Sequence, residues 1–145
     1  MNETIARFGY PATLVAEYEH WLVLLRPAQP TLGSLVLAAK SDATAFARLE
    51  PAAFAGLGEA VADIETVLAG AVRYSKINYL MLMMVDPHVH FHVIPRYEGE
   101  RSACGLSVSD RGWPKVPNLG EALTLEPKQV EALVDHIRNF WPTSR

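Results

Sequence analysis

The chain has 145 residues, half of them apolar and 20% charged, which suits one globular domain and excludes a disordered polypeptide. Thirteen Lys and Arg against sixteen Asp and Glu give a formal net charge of −3 with no basic cluster, which argues against polymeric nucleic acid as a partner. Cys104 is the single cysteine, so no internal disulfide forms; with no signal-like amino terminus and no apolar run near the ~20 residues of a membrane span, the expectation is a cytoplasmic protein with no membrane partner.

Apolar runs from Trp21 to Leu25 and from Leu35 to Ala39 flank Arg26-Pro27-Ala28-Gln29-Pro30-Thr31-Leu32-Gly33, where two prolines and a glycine forbid a continuing helix. The pair reads as a β-hairpin. Pro51 suits a first helical turn, and Phe54, Leu57, Val61, Ile64 and Leu68 recur at helical spacing, predicting a helix over 51–71 that lays this stripe on a sheet. Lys76 to Met84 is apolar on both alternating faces and reads as a buried central strand, with Met81, Met83 and Met84 filling core space. Val85-Asp86-Pro87 ends it in a turn.

His88-Val89-His90-Phe91-His92-Val93-Ile94-Pro95-Arg96 then alternates strictly, placing three imidazoles on one face and Val89, Phe91 and Val93 on the other, inward one. From Glu98 to Glu121 the glycines and prolines show no period, predicting a long irregular segment in which Cys104 is incidental. Pro127 opens a second main helix carrying Val130, Leu133, Val134, Ile137 and Trp141, stopped by Pro142. Residues 1–97 are expected to form the core, with the histidine strand at 88–95, and 98–145 to complete the same domain.

Three of the five histidines fall within five residues. Ionisable rings gathered on one strand face are costly to bury unless that face lines a polar cleft, so metal ligation and imidazole catalysis compete. Strand neighbours two apart lie ~6.6 Å from each other and residues four apart ~13 Å, so one zinc ion can be shared by two of these rings but hardly by three. His20 and His136 read as structural, so no further ligand is evident.

The string HVHFHVIPR closely resembles the signature of the histidine triad (HIT) family, and Pro30 to Leu37 resembles that family's proline, glycine and apolar-strand pattern. The likeness spans roughly residues 10–97. It implies an α+β fold, a five-stranded antiparallel sheet with two main helices, in a homodimer. It also implies a hydrolase or nucleotidyl transferase acting on nucleoside phosphoanhydrides or phosphoramidates, with no metal or cofactor. The middle histidine, His90, would attack the α-phosphate and form a nucleotidyl-histidine, its far nitrogen oriented by the backbone carbonyl of His88, with His92 facing the phosphate oxygens. Neutral imidazole, with an ordinary pKa of about 6.5, is a competent nucleophile near neutral pH.

Asn78 resembles the family's asparagine on the preceding strand; a register with Leu82 opposite His90 puts it on the histidine face. Arg96 closes the signature, Ser34 stands where relatives carry a histidine after the glycine matched by Gly33, and Trp113 resembles a carboxyl-terminal tryptophan that in some relatives reaches the partner subunit's site. These four are the candidate substrate-binding residues. Two departures stand out: Val85-Asp86-Pro87 replaces a glycine- and glutamine-containing phosphate loop, and Leu24 occupies the position of an acid for the ribose. A nucleotide-binding module with little catalysis is therefore the alternative, and a metal-binding protein using two triad histidines a third reading.

Overall fold

The computed structural model describes residues 1–142; the end of the expected 98–145 segment, residues 143–145, lies outside the described residues. In chain order the elements are α1 (Glu3–Arg7), β1 (Leu14–Glu17), β2 (Trp21–Leu25), β3 (Ala28–Gln29), β4 (Leu35–Ala39), α2 (Pro51–Val72), β5 (Lys76–Leu80), β6 (His90–Arg96), β7 (Glu100–Ala103), β8 (Leu106–Ser109), β9 (Leu123–Thr124) and α3 (Pro127–Arg138). Five strands form one sheet in the order β1-β2-β4-β6-β5, every neighbouring pair antiparallel. The expected α+β fold and hairpin are present, with a third, amino-terminal helix that periodicity did not reveal.

Every residue of β2 and β4 is buried because both sheet faces are covered. On one face Trp21, Val23, Leu25, Leu35, Leu37, Ala39 and Val93 belong to the main core with Ile64, Val67 and Leu68 of α2 and Leu133 and Ile137 of α3. On the other, Leu22, Leu24, Val36 and Ala38 form a second cluster with Ile5 of α1, edged by Phe8, Tyr10 and Leu14. Burying Ile5 there contributes about 2 kcal/mol, more than a five-residue helix recovers from its own hydrogen bonds. Asn2 caps α1 by accepting from the Ile5 amide at 3.0 Å and ties it down by donating to the Ser41 carbonyl at 3.1 Å.

Three expectations are corrected. β5 is an edge strand, half exposed, and β4 is the central one. Apolar residues on both sides of 76–84 reflect cover by neighbouring elements, not strands on both edges: the Tyr79 ring meets Phe91, while its hydroxyl donates to Glu65 at 2.7 Å. Beyond Leu80 the chain is a loop in which Met81 and Met83 pack partly against the core and Met84 is 82% exposed.

Secondly, α2 buries Ala53, Ala60, Ile64, Val67, Leu68 and Val72; its core face is rotated toward the small residues, leaving Phe54 exposed against Phe46. Thirdly, the supposedly irregular 98–121 segment contains the β7–β8 hairpin. It turns at Cys104-Gly105, both with positive φ, the two-residue turn that suits strand twist. Strands of four residues with a largely polar β7 fall below what alternation can reveal. Burial raises the Cys104 thiol pKa, the opposite of an activated thiol.

Candidate active site

The histidine strand β6 lies between β4 and β5, with His90 opposite Ala38 and His92 opposite both Val36 and Leu80. His90 and His92 therefore share a face with Leu22, Leu24, Val36 and Ala38, as alternation requires, and Val93 goes to the main core. His88 stands just before the strand. The rings of His90 and His92 are 5.1 Å apart and nearly perpendicular. Both residues are buried, at 1% and 7% exposure, whereas His88 is half buried.

Hydrogen bonds assign the tautomers. His90 Nδ1 lies 2.6 Å from the His88 carbonyl, which only accepts, so Nδ1 carries a hydrogen and, in the neutral ring, Nε2 has the lone pair. Arg26 Nε lies 3.4 Å from His92 Nδ1, and a guanidinium only donates, so His92 accepts there and carries its hydrogen on Nε2. Burial, then the charges of Arg26 and His90, push the His92 pKa down to about 4. Thr4 Oγ1 meets His88 Nδ1 at 2.8 Å.

The depressed His92 value sets the sign of a pH dependence. Below about pH 6.5 the unfolded chain takes up a proton that the folded chain refuses until about pH 4, so stability is lost as pH falls through that window. The thermal midpoint of His92→Gln is expected to fall less than that of the wild type between about pH 7 and pH 4.5; equal slopes would show that His92 is not the group refusing the proton.

The amino-terminal segment roofs this face. Phe8 sits 5.7 Å from the ring centres of both His90 and His92. Arg7 Nη1 donates to Asp86 at 3.1 Å and to the Val85 carbonyl at 3.3 Å, so the loop that replaces the expected phosphate grip is clasped to α1. A substrate approaching His90 from the amino-terminal side meets this roof.

Among the described residues, none of the four expected binding residues hydrogen-bonds a triad ring. Ser34 is fully buried and its hydroxyl donates to the Thr31 carbonyl at 2.9 Å, with Thr31 Oγ1 also at 2.9 Å; it fixes its own turn. Asn78 is on the histidine face, as expected, opposite Ile94, yet its side-chain oxygen accepts from Arg96 Nη1 at 2.8 Å. Arg96 is held by Asp110: Nε and Nη2 donate to the two carboxylate oxygens at 2.7 and 3.1 Å, in a pair whose side chains are 4% and 1% exposed. Asp110 also accepts from the Tyr97 and Gly112 amides. Trp113 lines a groove of about 800 Å³ beside β5 together with Asn78 and Arg96, and no triad histidine lines it.

Sequence reading missed Thr4, Phe8, Arg26 and Asp110. Arg26 stood in a turn-rich stretch with nothing to show its direction, and the other three meet partners remote in sequence, Thr4 and Phe8 beyond the elements β1 to β5 and Asp110 beyond the β7–β8 hairpin. The structure separates His20 and His136 from the triad: His20 sits 3.8 Å from Glu19, and His136 is beside Phe140. Among the described residues no three His, Cys, Asp or Glu side chains are grouped to hold a metal ion. No helix among them is long and apolar enough to cross a membrane.

Solved structures share this architecture over nearly the whole chain. A histidine triad (HIT) protein of Sinorhizobium meliloti 1021 superposes with a TM-score of 0.73 at 22% identity, over 96% of this chain and 94% of that one. This chain has the histidine triad fold. A hypothetical histidine triad nucleotide-binding protein of Sulfolobus tokodaii gives a TM-score of 0.72 at 20% identity, over 94% of this chain and 88% of its own. A zinc-bound histidine triad family protein of Mycobacterium smegmatis gives 0.58 at 17% identity, over 93% and 90%. No protein-family model matches the sequence, and no curated protein sequence does either. Within the histidine triad fold, β6 carries His90 and His92 on the roofed face described above, and His88 lies just before it.

Proposed function

We propose that this histidine triad fold is a nucleotide hydrolase or nucleotidyl transferase in which His90 attacks an α-phosphate. The observation that carries the reading is the 2.6 Å contact of His90 Nδ1 with the His88 carbonyl, which leaves the Nε2 lone pair as the nucleophile. Attack forms a P–N bond as the leaving group departs with the electrons of its bond to phosphorus; water or another acceptor then breaks the P–N bond and frees the nucleotide. The Nε2 hydrogen of neutral His92 is a donor for phosphate oxygens that gain charge in the transition state. His88, held by Thr4, supports the same face. The substrate class is a nucleoside phosphoanhydride or phosphoramidate, and neither metal nor cofactor enters these steps.

Brief exposure to a radiolabelled dinucleotide or nucleoside phosphoramidate, followed by alkaline quench and peptide mapping, should find the label on His90. No adduct and no turnover across a broad substrate panel overturn the reading. The roof over His90 and the clasp between Arg7 and Asp86 favour the second reading, a nucleotide-binding module with little catalysis. Tight mononucleotide binding without turnover, unchanged in His90→Asn, identifies that case.

The proposal includes a cytoplasmic homodimer. Its support is the edge strand β5, with Leu82, Met84, Val85 and Val116 exposed near it and the groove alongside. Light scattering is expected to give twice the 16.0 kDa chain mass, and Leu82→Lys to weaken the dimer; a monomer at all concentrations removes this part of the proposal.

A further inference from the structure

Among the described residues, Arg26 is the cation that meets the triad rings. It directly follows β2, and the turn that aims it is held from within by Gln29. That fully buried side chain donates to the carbonyls of Arg26 at 2.6 Å and Ser34 at 2.9 Å, and accepts from the Gly33 amide at 2.8 Å. Gly33 is required there: its φ is +87°, and a Cβ would lie 2.7 Å from Val72 Cγ2. Arg26 Nη1 donates to the Ala28 carbonyl at 2.7 Å and Nε points at His92. No described carboxylate pairs with Arg26. Asp86, whose charge reaches His92, is bound by Arg7, and Asp110 by Arg96.

A half-buried guanidinium without an anion is costly, and burial here lowers its pKa. The cost is offset when an anion arrives, and the guanidinium edge offers paired donors that match a phosphate. Arg26 approaches His92 from Nδ1, whereas the hydrogen available to the attacked phosphate is on Nε2, across the ring. An anion on Arg26 and the phosphate at His90 are thus separated by the imidazole of His92.

The geometry points to Arg26 as the ligand of a second phosphate of the substrate, set apart from the phosphate that His90 attacks. The inference rests on the nucleotide reading above and narrows its substrate class. Neighbouring phosphates of a diphosphate share one bridging oxygen and lie too close together to flank a ring. Phosphates on different hydroxyls of one sugar are far enough apart.

Calorimetry on the full-length protein with four probes tests this: adenosine 5′-monophosphate, adenosine 5′-diphosphate, and the 2′,5′- and 3′,5′-bisphosphates. One bisphosphate is expected to bind about ten- to a hundredfold more tightly than the monophosphate, the worth of a charge-assisted hydrogen-bonded pair. Arg26→Gln should remove that advantage, so that the variant binds the bisphosphate no more tightly than it binds the monophosphate. Equal wild-type affinities for monophosphate and bisphosphates overturn the inference while leaving the His90 chemistry standing. So does an advantage shared by the diphosphate and lost with it in Arg26→Gln, because Arg26 would then hold the adjacent phosphate. Binding of none of the four defeats the underlying nucleotide reading, a separate result. Should Arg26→Gln not fold, Arg26→Lys, which keeps the charge without the fork, is expected to retain only part of the advantage; full retention overturns the inference.

Discussion

His90→Asn is expected to lower kcat/KM by about 10³- to 10⁵-fold on any substrate the wild-type protein turns over, equivalent to about 4–7 kcal/mol of barrier. The size follows from the proposed covalent route. Without a lone pair at this position the P–N bond cannot form, and only binding and the hydrogen bond from His92 remain to help a direct attack by water. Asparagine is the informative replacement because its amide can still donate to the His88 carbonyl, now at 2.6 Å from the ring, so the strand and the Phe8 contact have reason to persist. The thermal midpoint should therefore move by only a few degrees. Single-turnover measurements would show no labelled protein in this variant. Turnover within about tenfold of wild type would mean that His90 does not form the intermediate, since losing a covalent nucleophile costs more than that.

The second large effect concerns stability. Arg96→Met leaves the Asp110 carboxylate, 1% exposed, without its bidentate partner, and breaking a buried pair from one side costs about 3–5 kcal/mol. For a chain of this size that lowers the thermal midpoint by about 10–15 °C. The amides of Tyr97 and Gly112 still point at the carboxylate but do not neutralise it. Arg96→Met combined with Asp110→Leu should recover a large part of the loss, because it removes the orphaned charge as well as the pair. A residue that bound substrate instead would show the opposite pattern, an increased KM with little change in midpoint. That outcome would restore the role the signature suggested for Arg96 and remove the structural one.

The contrast between Arg96 and Arg26 shows where sequence reading stopped. Arg26 directly follows β2 and Arg96 ends β6, and strand position alone does not tell which partner each will find. Arg96 was the candidate because it closes the HVHFHVIPR string, yet its partner is Asp110, fourteen residues on, beyond a hairpin that pattern did not resolve. Arg26 had no motif to recommend it and is the one that meets His92. Asn78 is an intermediate case: alternation placed it on the correct face, but face membership says nothing about which neighbour captures the side chain.

Alternation by itself determined that His90 and His92 share a face while Val93 enters the core, because successive strand residues point to opposite sides whatever the rest of the chain does. Helical spacing and proline placement likewise determined where α2 and α3 begin, with Pro51 and Pro127 at their first positions. Only the tertiary structure decided that β5 is an edge, that Thr4 of α1 and Phe8 just after it meet the histidines, and that Arg26 bonds His92 while Arg96 bonds Asp110. Those choices depend on which distant groups satisfy one another once buried. Short-range pattern carries direction along a strand but not the identity of a partner brought in by a loop.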